Sequence, residues 1–180
     1  MNWILIALLQ LAEPTVIDRP LPRAAKRIRD TASTNFIVLH YDDGDGYEVA
    51  RRTLIKRHLA YHYYIERSGR IIKLVDPKYE IAHAGPSLWR SYLRMNLYSI
   101  GICLQNNPPQ EYTEVQYTSL AWLIKVLQIR FKDKDSTART ILGHGDIATP
   151  RGRKQDPGDH FDWGKLYTLL EYNNGHVRRN

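Results

Sequence analysis

The chain has a single cysteine, Cys103, among 180 residues. An internal disulfide is therefore impossible, and so is a zinc cluster built on several thiolates. Any metal has to be held by histidine and carboxylate. The most apolar stretch, residues 1–12, falls well short of the roughly 20 residues that a membrane-spanning helix needs, so no integral span is expected. Internal repeats and low-complexity tracts are missing too, and 180 residues suit one domain of ordinary size better than two.

Acidic residues are outnumbered 19 to 26 by Lys and Arg, giving a formal charge of +7 that favours an anionic partner: nucleic acid, anionic lipid or a carboxylate-rich cell-wall peptide. Arg23, Lys26, Arg27 and Arg29 form one basic cluster and Arg178-Arg179 another. Neither is interleaved with the aromatics of a nucleic-acid platform, so both read as solvated surface and no nucleic-acid partner is expected.

Residues 1–12 have the length of a secretory h-region, but no Lys or Arg precedes Trp3, and Gln10-Leu11-Ala12 does not match a small-x-small cleavage site. Two readings stay open: a leader, which places the protein in the cell envelope, periplasm or medium, or an element packed on the domain of a cytoplasmic protein. No cysteine follows the stretch, so a lipoprotein anchor is not expected. Pro14, Pro20 and Pro22 then favour an extended lead-in. The expected division is an apolar segment over 1–15, a folded domain over 16–173 and a basic tail over 174–180.

β-branched and aromatic runs predict strands over 36–41, 61–66, 70–75 and 98–104, with Arg67-Ser68-Gly69 as a hairpin turn. Helices are expected over 48–59, 113–131 and 163–172, the middle one carrying Tyr117, Leu120, Ile124 and Leu127 on one face. Strands alternating with helices predict a single α/β domain with a mixed central sheet flanked by helices.

The Pro/Gly-rich stretch 143–163 gathers His144, Lys154 and Asp156 into one loop that can fold back on itself. His40 ends the apolar run Phe36-Ile37-Val38-Leu39, where a buried strand delivers it to a sheet edge. Two imidazoles and a carboxylate make a catalytic zinc triad, with the fourth tetrahedral position left for water. His40, His144 and Asp156 are the expected ligands of one zinc per chain, and a hydrolase is the expected class. A two-metal phosphoesterase acting on nucleic acid is the rival from another class.

In order along the chain stand His-Tyr after a strand, Tyr-His-Tyr-Tyr-Ile-Glu-Arg-Ser-Gly-Arg, Ala-His-Ala-Gly, Asn-Leu-Tyr-Ser-Ile-Gly-Ile, Gly-His-Gly-Asp-Ile-Ala and Arg-Lys-Gln-Asp-Pro-Gly. This series resembles the N-acetylmuramoyl-L-alanine amidase type 2 family, whose fold is shared by peptidoglycan-recognition proteins and phage-type amidase lysozymes. The resemblance runs from about residue 16 to about 170. The stretch from Ser87 to Asn106 looks closest to the cell-envelope branch that also accepts 1,6-anhydromuropeptides.

The resemblance implies a zinc enzyme that cleaves the amide between N-acetylmuramic acid and L-alanine of the stem peptide; a monomer is the expected oligomeric state. Its partner is then peptidoglycan or a muropeptide, used in wall degradation or recycling. The alternative on the same fold is a non-catalytic muropeptide-binding module, a reading opposed by the retention of all three ligands and Lys154. Lys154 is implied as the cation for the tetrahedral oxyanion, and Tyr61 as the group that handles a proton or orients substrate. His83 and Asn96 are implied in the substrate groove. Arg90, Arg94 and Arg153 are candidates for the stem-peptide carboxylates, which arginine can grip bidentately. His62 is expected to pack beneath the site, either as a structural residue or as one bonding a ligand's outer nitrogen. His58, His160 and His176 read as ordinary polar residues.

Two departures stand out. Where many members carry a glutamate, this chain has Cys103, read as a buried small hydrophobe rather than a nucleophile. The spacing between His144 and Asp156, through Thr149-Pro150-Arg151-Gly152, is about two residues longer than in the related amidases, an insertion at the rim of the expected site.

Overall fold

The computed structural model describes residues 13–22, 27–29, 34–44, 46–131 and 140–172. The apolar segment 1–12, Arg23, Lys26 and the basic tail lie outside these residues. In chain order the elements are β1 (Val16–Asp18), β2 (Arg27–Ile28), β3 (Phe36–Tyr41), α1 (Tyr47–Arg57), β4 (Tyr63–Ile65), β5 (Ile71–Lys73), β6 (Tyr79–Glu80), β7 (Leu88–Trp89), β8 (Tyr92–Leu93), β9 (Ser99–Leu104), α2 (Glu114–Arg130), β10 (Thr140–Gly143), α3 (His144–Ile147) and α4 (Trp163–Tyr172).

Six strands form one sheet in the order β1-β5-β4-β9-β3-β10. The β4–β5 pair is antiparallel and the others are parallel, so the sheet is mixed, as expected. β2 pairs with β6, and β7 with β8, in two small antiparallel ribbons. β3 and β9 are apolar on both faces, as central strands covered on both sides must be. Alternation along β3 sends Ile37 and Leu39 to the face under α2 and α4, while Phe36, Val38 and His40 point the other way. Tyr117, Leu120, Ile124 and Leu127 of α2 are all buried against that first face. Thr113 caps α2 by accepting from the Gln116 amide while the Gln116 side chain reaches back, an arrangement worth ~1 kcal/mol.

The expected strands over 61–66 and 70–75 shorten to three residues each, because Glu66 and Arg70 close the turn between them with a backbone bond and an ion pair. The extended lead-in becomes β1, which adds a parallel edge to β5. β10 and α3 are additions within and before the stretch read as loop.

The parallel strands β4, β9, β3 and β10 end at one edge of the sheet, the usual place for a site in an open α/β sheet. β10 pairs Gly143 with Leu39, so the next residue, His144, arrives beside His40. β9 pairs Cys103 with His40 on the other side.

Candidate metal centre

His40, His144 and Asp156 are 1%, 4% and 6% exposed and meet at one point. Asp156 Oδ2 lies 2.9 Å from His40 Nδ1 and 3.1 Å from His144 Nδ1, and the two ring nitrogens are 3.1 Å apart. Metal–ligand bonds of 2.0–2.2 Å place the ligand atoms of a tetrahedral zinc about 3.3 Å apart, so the triangle is close to one face of such a site. Among the described residues no other group of three or more His, Cys, Asp or Glu converges in this way.

Gly143 allows the approach. A Cβ there would sit 2.8 Å from the Pro157 ring and 3.2 Å from the Asp156 carbonyl. The Gly145 amide then donates to the Asp156 carbonyl at 2.9 Å, closing the loop that the sequence suggested.

Outer hydrogen bonds decide what the two imidazoles present to the carboxylate. His144 Nε2 is 2.9 Å from the Ala84 carbonyl, an obligate acceptor, so the ring proton is on Nε2 and Nδ1 of the neutral ring is a lone pair. The His40 side ends on a carbonyl too. Ser99 donates to Met95 O at 2.6 Å and so accepts from His83 Nε2 at 3.3 Å; His83 Nδ1 in turn accepts from His40 Nε2 at 3.1 Å. Burial pushes His40 down to about 4, so at neutral pH it is uncharged and turns a lone pair inward. Asp156 Oδ2 therefore faces both inward lone pairs and receives a proton from neither ring. Two nitrogen lone pairs and a carboxylate thus converge within about 3 Å, an arrangement that a cation stabilises and that these residues fit.

His144 and Asp156 line the floor of a cavity of about 410 Å³, with buried His40 directly behind them, and its walls include Tyr41, Asp43, Tyr61, His83, Arg153 and Lys154. Lys154 is exposed on the rim, where its charge reaches His40. Tyr61 is half-buried with its ring centroid 5.0 Å from that of His40, and burial with the nearby Cys103, Asp156 and Asp42 pushes its phenol well above the usual value. Cys103 is fully buried, and burial raises its thiol too, so it fills the wall beside His40 as a small apolar group. Asp43 escaped the sequence reading; its only signal is its place just past the strand that carries His40.

Several expectations need correction. Arg90 and Arg94 do not reach the cavity. Arg90 is exposed in the β7–β8 turn, and Arg94 faces Glu80 at 3.8 Å. Arg153 does line the wall, pinned by the carbonyls of Thr149, Ala84 and Pro86, so the inserted rim loop is tied to the 84–86 loop. Asn96 turns its Oδ1 to the amides of His83 and Ala84 rather than into the groove. His83 touches the cavity, yet its ring nitrogens are engaged with His40 and Ser99, the position expected of His62. His62 instead accepts from the Gly101 amide and faces the Tyr79 carbonyl. Gly101 has to lack a Cβ, which would stand 2.7 Å from the His83 ring. Arg29, read as solvated surface, is only 8% exposed because its guanidinium satisfies the carbonyls of Pro77, Asn96 and Ser99.

Comparison with known proteins follows the same lines. The N-acetylmuramoyl-L-alanine amidase family pattern matches residues 30–159. The 1,6-anhydro-N-acetylmuramyl-L-alanine amidase AmpD of Escherichia coli (strain K12) is 37% identical over 109 residues, 61% of this chain and 57% of that protein. The N-acetylmuramoyl-L-alanine amidase AmiD of the same organism is 33% identical over 144 residues, 72% of this chain and 51% of AmiD. The chain thus spans about half the length of the curated relatives it matches. Among solved structures, a selenomethionine derivative of AmpD superposes with a TM-score of 0.70 at 27% identity, covering 89% of this chain and 96% of that one. AmiD from E. coli in complex with anhydro-N-acetylmuramic acid-L-Ala-D-gamma-Glu-L-Lys gives 0.66 at 29% identity, covering 84% and 61%.

Proposed function

The chain belongs to the N-acetylmuramoyl-L-alanine amidase family, and from that premise we propose that it is a zinc-dependent amidase. Its substrate is a muropeptide, the 1,6-anhydro form included, and the bond cut is the amide between the muramic acid lactyl group and L-alanine. The carrying observation is the convergence of two imidazole lone pairs and the Asp156 carboxylate at the floor of an open cavity. The substrates named for AmpD and AmiD support the choice of bond and sugar.

A nitrogen-rich N₂O donor set suits zinc, which when bound supplies Lewis acidity to a carbonyl oxygen and lowers the pKa of water toward ~7. His40 and His144 would hold the ion through Nδ1 and Asp156 through its carboxylate, whose single negative charge would leave the site net positive for a developing oxyanion. Lys154 adds a mobile cation from the rim, a role in which loss of one donor typically costs ~10²–10³ in rate. Tyr61 keeps its proton and serves as a hydrogen-bond donor that orients the amide, not as a base. Arg153, its guanidinium fixed by three carbonyls, presents charge to the acidic stem peptide.

The test is mass spectrometry of defined muropeptides, in intact and 1,6-anhydro sugar forms, incubated with the protein with and without a zinc chelator. Release of a free stem peptide beginning at L-alanine, abolished by the chelator, is the expected result. Binding without cleavage by verified zinc-loaded protein would contradict the proposal and favour a recognition module.

A further inference from the structure

The two histidines of the triad come from different strands, yet their outer nitrogens end on adjacent residues. His40 Nε2 is met by the His83 ring at 3.1 Å and His144 Nε2 by the Ala84 carbonyl at 2.9 Å. That dipeptide lies in an irregular loop between β6 and β7, where no sheet bond fixes it. Asn96 does so instead, its Oδ1 accepting from the His83 amide at 3.1 Å and the Ala84 amide at 2.8 Å.

The anchor is itself held. Asn96 begins from a short 3-10 turn, Met95–Leu97, whose Asn96 carbonyl takes a hydrogen bond from buried Arg29 at 3.0 Å. The preceding carbonyl, Met95 O, ends the His40–His83–Ser99 chain. Ser87 closes the loop by accepting from the Met95 amide at 3.0 Å and donating to Gly85 O at 2.9 Å. One turn therefore governs both the backbone of the 83–84 pair and the orientation of the His83 ring.

We propose that Asn96 is a positioning residue of the metal centre, holding the His83–Ala84 pair so that it orients both histidine ligands at once. This rests on the reading of His40, His144 and Asp156 as the metal triad. Because its acceptor is spent on two amides, Asn96 acts on metal affinity and coordination geometry and not through contact with substrate. Groups that meet the outer nitrogen of a metal-ligating histidine typically change affinity 10–100-fold when removed, and Asn96 holds two such groups in place.

The test measures zinc affinity by chelator competition, and the visible spectrum of the cobalt-substituted protein, for wild type, Asn96→Leu and Asn96→Asp. Asn96→Leu matches the size but lacks the acceptor; Asn96→Asp keeps an oxygen for the two amides. Expected are a 10–100-fold weaker zinc affinity and altered cobalt bands for Asn96→Leu, with both largely restored in Asn96→Asp. Wild-type affinity and cobalt spectrum in Asn96→Leu, even with a lowered melting temperature, would overturn the proposal and leave Asn96 a structural residue. Should Asn96→Leu not fold, Asn96→Ala carries the same test, since it too removes the acceptor of the two amides without adding apolar bulk; unchanged affinity and bands there would equally overturn the proposal. A wild-type protein that binds neither metal would sink the triad itself, a result distinct from a wild type that binds and a variant that binds as well.

Discussion

His40, His144 and Asp156 at the cavity floor are buried, and each is met by at least two fixed partners, whereas Lys154 stands exposed on the rim. The floor is over-determined: register between β3 and β10 sets the two histidines side by side, and carbonyls at the far ends of their hydrogen-bond chains decide which nitrogen faces inward. The rim is held more loosely, by Arg153 spanning from one loop to the next. A metal demands fixed donor geometry, while an oxyanion appears only during reaction and can be met by a flexible cation. Damage to the floor should therefore abolish the ion and everything that depends on it, and damage to the rim should spare the ion.

The sharpest way to break that contrast is Asp156→Ala. It removes the only anion of the triad and should cost bound zinc after dialysis, measured by elemental analysis, with turnover at background. Full zinc content in this variant would take Asp156 out of the triad. Lys154→Ala is the rim counterpart, expected to keep one zinc per chain while kcat falls ~10²–10³. A rate near wild type would end its assignment. Tyr61→Phe, at the junction of floor and rim, removes one donor and should lower turnover by about tenfold, or ~1.4 kcal/mol, with zinc retained. An unchanged rate would leave the ring's packing against His40 as its whole contribution. Cys103→Ser is the smallest in activity: turnover within a few-fold of wild type, but stability lower by ~1–3 kcal/mol in denaturant unfolding because a hydroxyl replaces a buried thiol. Abolished turnover in a folded Cys103→Ser protein would revive a thiol mechanism.

The floor was largely legible in the sequence and its support was not. A histidine closing a run of four apolar residues has to emerge at a strand end, and a Pro/Gly-rich loop with His144 and Asp156 can fold onto one point. The long helix was legible as well, because Tyr117, Leu120, Ile124 and Leu127 repeat at helical spacing. Asn96 and His83 could be seen to belong near the groove, but which way they turn depends on a 3-10 turn meeting a loop 12 or 13 residues earlier in the chain. Arg29 illustrates the same limit: an arginine within a basic cluster reads as surface, and the carbonyls that make its burial favourable come from residues 48 to 70 positions away. β10 was missed because four residues carry too little periodicity to register, and its placement comes from pairing with β3.

Zinc-edge X-ray absorption of the protein loaded with one equivalent of zinc tests the central claim most directly. Two imidazole nitrogens at about 2.0–2.1 Å and oxygen at about 2.0–2.2 Å, with no sulfur, are the predicted shell. A sulfur scatterer at about 2.3 Å would bring Cys103 into the coordination sphere and contradict the triad of His40, His144 and Asp156.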